Sequence, residues 1–379
     1  MFYVQHLLGV GHLQRAAFIA RELASAGIET HLVSGGTPTT NLSVLNVRFH
    51  QLTPVRSLDG LFDKLVDEHD EPIDDDWCAR RCDQLLSILS SIQPHALITE
   101  TFPFGRRMMS FELLPLLDAA KAMSEPPLIV ASIRDILQPK SKPGREEEAC
   151  ERVLQYYDHV LVHGDPNVAT LADTFGPAKE IASRVEYTGY IAAPGEQHSR
   201  EVDLSDAEIL VSGGGSSASL PLLENTLNAF EHSSQNYRHW RVLVGHGHDQ
   251  TTFEALQRAA PDGVTVERNR PDFQRLMANC AVSVSQAGYN TVVDLLRCGA
   301  RSVLVPFAQG IEIEQTIRAN LMADRGIAIT LPESELTPKA LADCIDRAML
   351  MQPRDTAFKM DGAAQSAQFI LQWLTKRGA

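Results

Sequence analysis

Residues 2–24 read FYVQHLLGVGHLQRAAFIARELA. The apolar run Phe2–Leu8 predicts a strand and Gly9–Gly11 a turn. Beyond them, apolar or small residues recur at Leu13, Ala16, Ala17, Ala20, Leu23 and Ala24, the period of a helix with one buried face. Gly27 stops that helix and Glu29–Val33 is the next strand. The same plan restarts at residues 209–219, ILVSGGGSSAS, where the strand Ile209–Val211 meets Gly213, Gly214 and Gly215 and the helix Leu220–Phe230 follows. Short apolar runs at Ala96–Thr99, Leu128–Ile133, Val160–Val162, Arg241–Val244, Val264–Val266, Val282–Val284 and Ser302–Val305 alternate with helical patterns. Such alternation predicts parallel sheets with helices on both faces. The polar stretch Pro194–Asp206 reads as a linker. The expectation is therefore α/β: two doubly wound, Rossmann-like domains facing a cleft, over residues 1–195 and 205–355. The final segment, 356–379, contains the amphipathic stretch Ala363–Leu374, expected to return to the first domain.

Composition narrows the function. A chain of 379 residues suits two to three domains at roughly 150 residues each. With 44% hydrophobic and 22% charged residues it is neither disordered nor a disulfide-dense mini-protein. No run approaches the about 18 apolar residues of a membrane-spanning helix, and the N-terminus lacks a basic leader, so the reading is cytoplasmic. The net charge of −14, acidic in both halves, makes the chain a poor partner for nucleic acid. It leaves room for a small phosphate ligand, which helix N-termini and backbone amides bind without net positive charge. Peripheral membrane association would need a local basic or apolar patch. The cysteines are scattered and no C-x-x-C occurs. Cys78 and Cys82, with His69 nearby, read as small residues on an amphipathic helix rather than metal ligands. The run Asp67–Asp76 contains the D-x-D Asp74-Asp75-Asp76, but in a Pro-interrupted polar segment it reads as a solvated loop, and no metal is expected.

Three turns carry the chemistry. The first, Gly9-Val10-Gly11-His12, lacks the third glycine of a dinucleotide fingerprint (Gln14 stands there), and no acidic residue ends the second strand at Ser34-Gly35-Gly36. No nicotinamide, flavin or other cofactor is expected. His12 then opens a helix whose N-terminal dipole disfavours imidazolium, which suits either a general base or a capping residue. The second, Ser212–Ser219, offers amides of Gly214 and Gly215 and hydroxyls of Ser216 and Ser217 to phosphate oxygens. The third, Ser283–Thr291 (SVSQAGYNT), ends a strand, turns at Gly288 and opens a helix at Asn290-Thr291. Asp294 lies one turn in, where a carboxylate suits a ribose diol. Glu314-Gln315 start another helix after Val303-Leu304-Val305-Pro306. All of these lie at strand carboxyl ends, where parallel α/β sheets bind ligands.

The series SQAGYNT, Asp294, VLVPF and EIEQTIRA resembles the C-terminal half of the MurG-like glycosyltransferases of the GT-B fold, and G-x-G-H resembles their N-terminal acceptor-side loop. A bacterial branch of that group shares stretches like Ser132-Ile133-Arg134-Asp135, Val162-His163-Gly164-Asp165-Pro166 and Tyr187-Thr188-Gly189-Tyr190. The resemblance implies that Asp294 holds the ribose, that Gly214, Gly215 and Ser216 bind the diphosphate, and that Gln315 meets donor-sugar hydroxyls. Asn269-Arg270-Pro271 fall where relatives present backbone groups to uracil. Glu314 stands where the peptidoglycan enzyme has glutamine, and the loop reads GGGSSA rather than GGSQGA, so the donor sugar stays open.

The expected activity is a metal-independent, inverting transfer from a nucleotide sugar, a UDP-sugar by the resemblance, to an acceptor hydroxyl on a glycan, a lipid-linked molecule or a small molecule. His12 is the candidate base. Glu100 ends the Ala96–Thr99 run and either orients His12 or binds acceptor; Gly9 and Gly11 shape the acceptor-side loop. Arg106-Arg107 either meet an acceptor phosphate or form an exposed first-turn pair. Two alternatives remain: a nucleotide-sugar hydrolase or epimerase on the same fold, and a non-catalytic nucleotide-sugar-binding subunit. The hydrolase releases nucleotide without acceptor, and the binding subunit is indifferent to His12→Ala.

Overall fold

The computed structural model describes residues 1–7, 10–39, 42, 44–57, 64–138, 143–192, 203, 206–215, 217–308, 313–352 and 358–378. They divide into two compact units. Unit 1 comprises Met1–Pro166, Thr170–Ala193 and Asp361–Ala379, and unit 2 comprises Asn167–Ala169 and Pro194–Met360.

Unit 1 runs β1 (Phe2–Val4), α1 (Gly11–Ser25), β2 (His31–Ser34), β3 (Arg48–Gln51), β4 (Arg56–Ser57), β5 (Leu65–Val66), α2 (Asp75–Ile92), β6 (Ala96–Glu100), α3 (Ser110–Lys121), β7 (Leu128–Arg134), α4 (Arg145–Tyr156), β8 (His159–His163) and β9 (Val185–Tyr187). Seven strands pair in parallel in the order β3-β2-β1-β6-β7-β8-β9, and β4 and β5 form a small antiparallel hairpin. Side chains alternate across the sheet. Tyr3, Val33, Leu97, Ile129 and Val160 pack on one face with Leu85, Leu89, Leu113, Leu117 and Val153 of α2, α3 and α4. Phe2, Val4, Leu32, Ile98, Val130 and Leu161 pack on the other with Leu13, Ala16, Ala17, Ile19 and Leu23 of α1.

Unit 2 runs β10 (Ile209–Ser212), α5 (Leu220–Ala229), β11 (Trp240–Val244), α6 (Gln250–Ala259), β12 (Val264–Arg268), α7 (Phe273–Asn279), β13 (Val282–Ser285), α8 (Tyr289–Cys298), β14 (Ser302–Leu304), α9 (Glu314–Asp324), β15 (Ile329–Thr330) and α10 (Pro338–Met349). Its six strands are parallel in the order β12-β11-β10-β13-β14-β15. The chain then returns to unit 1 as α11 (Gly362–Arg377), whose Ile370 and Trp373 join the α1 face of the first sheet. Two doubly wound α/β units are thus present. Most of the Pro194–Asp206 linker lies outside the described residues, as do Leu8, Gly9 and Ser216.

The polar core of unit 1 is built on two fully buried charges. Arg81 of α2 donates through Nε to Glu112 Oε2 of α3 (2.7 Å) and through Nη2 to Glu112 Oε1 (3.0 Å) and Gln5 Oε1 (2.7 Å). Its Nη1 donates to the carbonyls of Gly35 (2.9 Å) and Thr53, and the Tyr3 hydroxyl donates to Glu112. A β-carbon at Gly35 would overlap Gln5 Oε1 and Arg81 Nη2, so a larger residue there would have to displace the buried Gln5–Arg81 contact.

Several readings need correction. The acidic run is a helix start, not only a loop: Asp74 caps α2 by accepting from Trp77 N (2.7 Å), and Asp75 and Asp76 occupy the first turn, where the helix dipole favours carboxylates. The edge strands β3, β9 and β15 escaped notice because edges need little apolar burial. β3 reads Arg48-Phe49-His50-Gln51 and is mostly open to solvent.

Removing one member of a buried, hydrogen-bonded ion pair leaves its partner charged and unpaired. Glu112→Ala should therefore destabilise unit 1 by about 3–5 kcal/mol in urea denaturation. A loss below about 1 kcal/mol, the scale of surface pairs, would contradict this role.

Candidate active site

The carboxyl edge of the first sheet gathers a buried polar cluster. α1 opens at Gly11 without a side-chain cap, placing His12 in its first turn, and Glu100 is the last residue of β6, the strand beside β1. His12 Nδ1 lies 3.1 Å from Glu100 Oε1, 3.0 Å from Arg15 Nη2 and 3.2 Å from Thr101 Oγ1. Arg15 also donates to Glu100 Oε1, and Ser132, opposite Glu100 on β7, donates to Oε2. Ser132 Oγ in turn lies 2.8 Å from His163 Nε2.

The charges follow from the neighbours. Burial pushes the Glu100 carboxyl up, but the Arg15 guanidinium and the His12 hydrogen bond outweigh it and hold the group ionised, well below the usual carboxylate range. An ionised carboxylate only accepts, so the proton of the neutral His12 ring sits on Nδ1 and points at Glu100. Arg15 cannot donate to a nitrogen that already carries a proton, so its Nη2 serves Glu100. The Nε2 lone pair is left as an acceptor. His12 keeps 15% of its side chain exposed while Glu100 has none. Its pKa is lowered to about 3 by burial first, with the guanidiniums of Arg106, Arg15 and Arg134 adding and the bond to Glu100 opposing. The ring is neutral at physiological pH, as the helix-start argument expects, but burial is the larger cause.

Arg106 and Arg107 behave differently. Arg106 donates from Nε to Gln5 O (3.0 Å) on a left-handed backbone (φ 57°), and its pKa falls to about 10 through burial and the nearby Arg134 charge. Arg107 is exposed and pairs with Glu148 (3.2 Å).

In unit 2 the glycine turn follows β10. Gly214 has φ +66°, a conformation that favours glycine, and β-carbons at Gly214 or Gly215 would meet open space. The far side is tightly packed: a β-carbon at Gly245 would overlap the Gly214 carbonyl, which also accepts from Asn269 Nδ2 (3.1 Å). Ser217 lies in the short helical turn Ser217–Ser219. Gly288 precedes α8, whose first turn holds Asn290 and Thr291. Asp294 accepts from Gln274 Nε2 of α7 (2.8 Å), and burial raises its carboxyl to about 6.

Two side chains expected at the donor have protein partners. Glu314 pairs with buried Arg318 (2.7 Å), which also donates to Ala287 O (2.9 Å). Gln315 Oε1 accepts from Phe307 N (3.2 Å). The Arg270 side chain forks onto Asp272 (2.8 and 3.0 Å) and reaches Glu267 (3.0 Å). Sequence reasoning missed Arg15, Thr101, Gln274 and the Ser132–His163 pair. For Arg15 a signal existed: it is a charged residue flanking the apolar stripe of α1, three residues after His12. Among the described residues no group of three or more His, Cys, Asp or Glu side chains is arranged to hold a metal ion.

Residues 208–372 match the glycosyltransferase family 28 C-terminal domain. The chain is 37% identical over 123 residues, 31% of its length, to the UDP-N-acetylglucosamine--N-acetylmuramyl-(pentapeptide) pyrophosphoryl-undecaprenol N-acetylglucosamine transferase of Methylibium petroleiphilum, of which the match covers 34%. It is 26% identical over 306 residues to the protein of the same name from Paraburkholderia phymatum, covering 76% of this chain and 73% of that one. The chain spans 34% to 45% of the first such relatives' length. The crystal structure of Acinetobacter baumannii MurG superposes with a TM-score of 0.61 at 17% identity, over 99% of this chain and 98% of that one, and shares the fold.

The raised Asp294 carboxyl predicts a pH-dependent stability. Its folded pKa of about 6 exceeds the ordinary 3.8, so its favourable share is present below about pH 4 and lost as pH rises through 6. Asp294→Asn should therefore stabilise unit 2 at pH 7–8 by about 1–2 kcal/mol, after allowance for partial exposure, and by nothing near pH 4. Thermal melts across that range check the sign; equal melting points at neutral pH would refute it.

Proposed function

As a MurG-like protein of the GT-B fold carrying a family 28 C-terminal domain, this chain is, we propose, a metal-independent inverting glycosyltransferase that moves a sugar from a UDP-sugar to an acceptor hydroxyl. The observation that carries the reading is the hydrogen bond from His12 Nδ1 to a buried, ionised Glu100, which leaves Nε2 open as a base. In the proposed step the acceptor oxygen attacks the anomeric carbon and its proton passes to His12 Nε2. The bond to the diphosphate oxygen breaks, and the nucleoside diphosphate leaves with the electron pair. Glu100 stabilises the imidazolium as it forms, as a buried carboxylate does behind a catalytic histidine. A single displacement inverts the anomeric centre.

For the donor we assign Gly214, Gly215, Ser216 and Ser217 to the diphosphate, Asn269-Arg270 to the base and Asp294 to the ribose. Gly288, Asn290 and Thr291, at the start of α8, add amides and a partial positive charge to the leaving group. Gln315 faces the sugar, and Glu314 acts through Arg318. Gly9 and Gly11 shape the acceptor-side turn.

The acceptor is inferred from charge. A base held near pKa 3 is weak, and the guanidiniums of Arg106, Arg15 and Arg134 help keep it there. An anionic acceptor beside Arg106 and Arg134 would offset their field and lift His12 toward the range where proton transfer is efficient. A phosphorylated acceptor fits this better than a neutral glycan, and the relatives are named for a pyrophosphoryl-undecaprenol acceptor. No helix among the described residues is long and apolar enough to cross a membrane. The proposed setting is the cytoplasm, with lipid-linked acceptor reached from the membrane surface.

His12→Ala should leave UDP affinity nearly intact by calorimetry and lower turnover about 10²–10⁴-fold. In the wild type, the ascending limb of kcat/KM, which reports the free enzyme, should lie well below pH 6.5, and that of kcat at higher pH, because bound anions raise His12. Undiminished transfer by His12→Ala would end the base assignment, and nucleotide release without acceptor would make the protein a hydrolase.

Turnover should also survive exhaustive EDTA, since the proposed leaving-group stabilisers are amides and helix N-termini. Loss on chelation, restored by Mg²⁺ or Mn²⁺, would reject metal independence.

A further inference from the structure

We infer that Ser132 and His163 are positioning residues that hold His12 in its reactive tautomer by acting through Glu100. The inference rests on the proposed role of His12 as base and names what fixes that base.

The buried cluster continues past Glu100 across two more strands. Ser132 of β7 and His163 at the end of β8 are fully buried, as is Thr188 just beyond β9. His163 Nε2 lies 2.8 Å from Ser132 Oγ, and His163 Nδ1 lies 2.9 Å from Thr188 Oγ1. Parallel pairing sets these residues in a row: Glu100 is opposite Ser132, and His163 is opposite Arg134, two residues further along β7.

Proton positions follow from one fixed point, the charge on Glu100. Its Oε2 can only accept, so the single Ser132 proton goes there. Ser132 Oγ must then accept from His163, which puts the His163 proton on Nε2. Burial lowers His163 to about 3, so the ring is neutral and Nδ1 carries only a lone pair. The Thr188 hydroxyl lies 2.9 Å from that nitrogen and also donates to the Gly189 carbonyl (3.0 Å). The two donors behind Glu100, His163 and Ser132, both point toward it.

The consequence for His12 is geometric. With Ser132 on Oε2, and Arg15 and His12 on Oε1, the carboxylate is held at both oxygens and cannot turn. Oε1 therefore stays in line with His12 Nδ1, which keeps the proton on that nitrogen and the lone pair on Nε2. Without the row behind it, Glu100 is free to rotate toward Arg15 alone, and His12 loses what selects its tautomer.

The test uses the full-length protein and four variants: Ser132→Ala, His163→Leu, His163→Gln and His12→Ala. Glutamine carries an amide N–H at about the reach of Nε2 and a carbonyl acceptor; leucine has similar bulk and neither. Long-range ¹H–¹⁵N spectra at pH 7, assigned by the signals lost in His12→Ala, read the His12 tautomer without turnover. The wild type and His163→Gln should show Nδ1–H, while Ser132→Ala and His163→Leu should show a mixture with Nε2–H. In transfer assays the latter two should lose about 10-fold or more in kcat with donor KM within about twofold, and His163→Gln should recover most of it. A residue that merely stabilises the fold would shift melting temperature and leave the His12 tautomer alone. An unchanged tautomer in Ser132→Ala overturns the inference, as does equal loss in the leucine and glutamine variants. If instead His12→Ala transfers sugar normally, the base reading fails, and the tautomer spectra still decide whether the row controls His12.

Discussion

The ionised Glu100 carboxylate is the constraint on which the unit 1 site depends. It ends β6 with no exposure to water, so its charge has to be met entirely by protein donors: Arg15 and His12 on one oxygen and Ser132 on the other. That requirement fixes the rotamer of Arg15 on α1, the hydroxyl of Ser132 on β7 and, because an ionised carboxylate can only accept from His12 Nδ1, the tautomer of the ring. Parallel pairing makes the arrangement possible. It brings the carboxyl ends of β1, β6, β7 and β8 to one edge, so residues separated by 30 to 90 positions become hydrogen-bonded neighbours. The second buried carboxylate, Glu112, is met by Arg81, Tyr3 and Gln5, and it ties α2 and α3 to the same strand β1 that leads into His12.

The two units solve the problem of binding charge differently. Unit 1 uses side chains with permanent charge: the guanidiniums of Arg106, Arg15 and Arg134 all act on His12, in a chain of net charge −14. Unit 2 offers the glycine turn and the start of α8, where backbone amides supply partial charges at no desolvation cost for an ion. Asp294, whose carboxyl is raised by burial, accepts from the neutral amide of Gln274. A carboxylate left short of partners in the resting protein is suited to hydroxyl donors arriving with a ligand.

How much of this was legible depended on the range of the signal. The alternation of strands and helices is local, and it gave both units and the return of α11. The resemblance picks out the glycine turn and the SQAGYNT segment because both are short local stretches, where glycine spacing is diagnostic. His12 and Glu100 were named from their strand-end and helix-start positions, and the structure brings them within 3.1 Å. Arg15, Ser132 and His163 cannot be singled out as site residues from the sequence, since pairing across a sheet is set by register, which no stretch of sequence displays. Ser132, His163 and Thr188 were visible only as letters in shared stretches, without a physical reason. Glu314 reads as a free donor ligand because the sequence cannot show that Arg318, one turn later, claims it. The acidic D-x-D failed in the same way: its capping of α2 is evident only once Trp77 N is seen to need an acceptor.

The depressed basicity of His12 is consistent with a base only if the substrate changes its surroundings. In the unliganded site, burial and three guanidiniums act against the proton, and Glu100 acts for it. Burial by itself is common to many sequestered histidines, but the guanidinium field is specific and reversible by an anion. A neutral acceptor would leave the field intact and meet a base several units too weak. On the proposed reading, an acceptor bearing phosphate would cancel part of that field on arrival, against the larger effect of burial. Water brings no charge and leaves the field intact, which under the proposed function gives the site an electrostatic reason to favour transfer over hydrolysis.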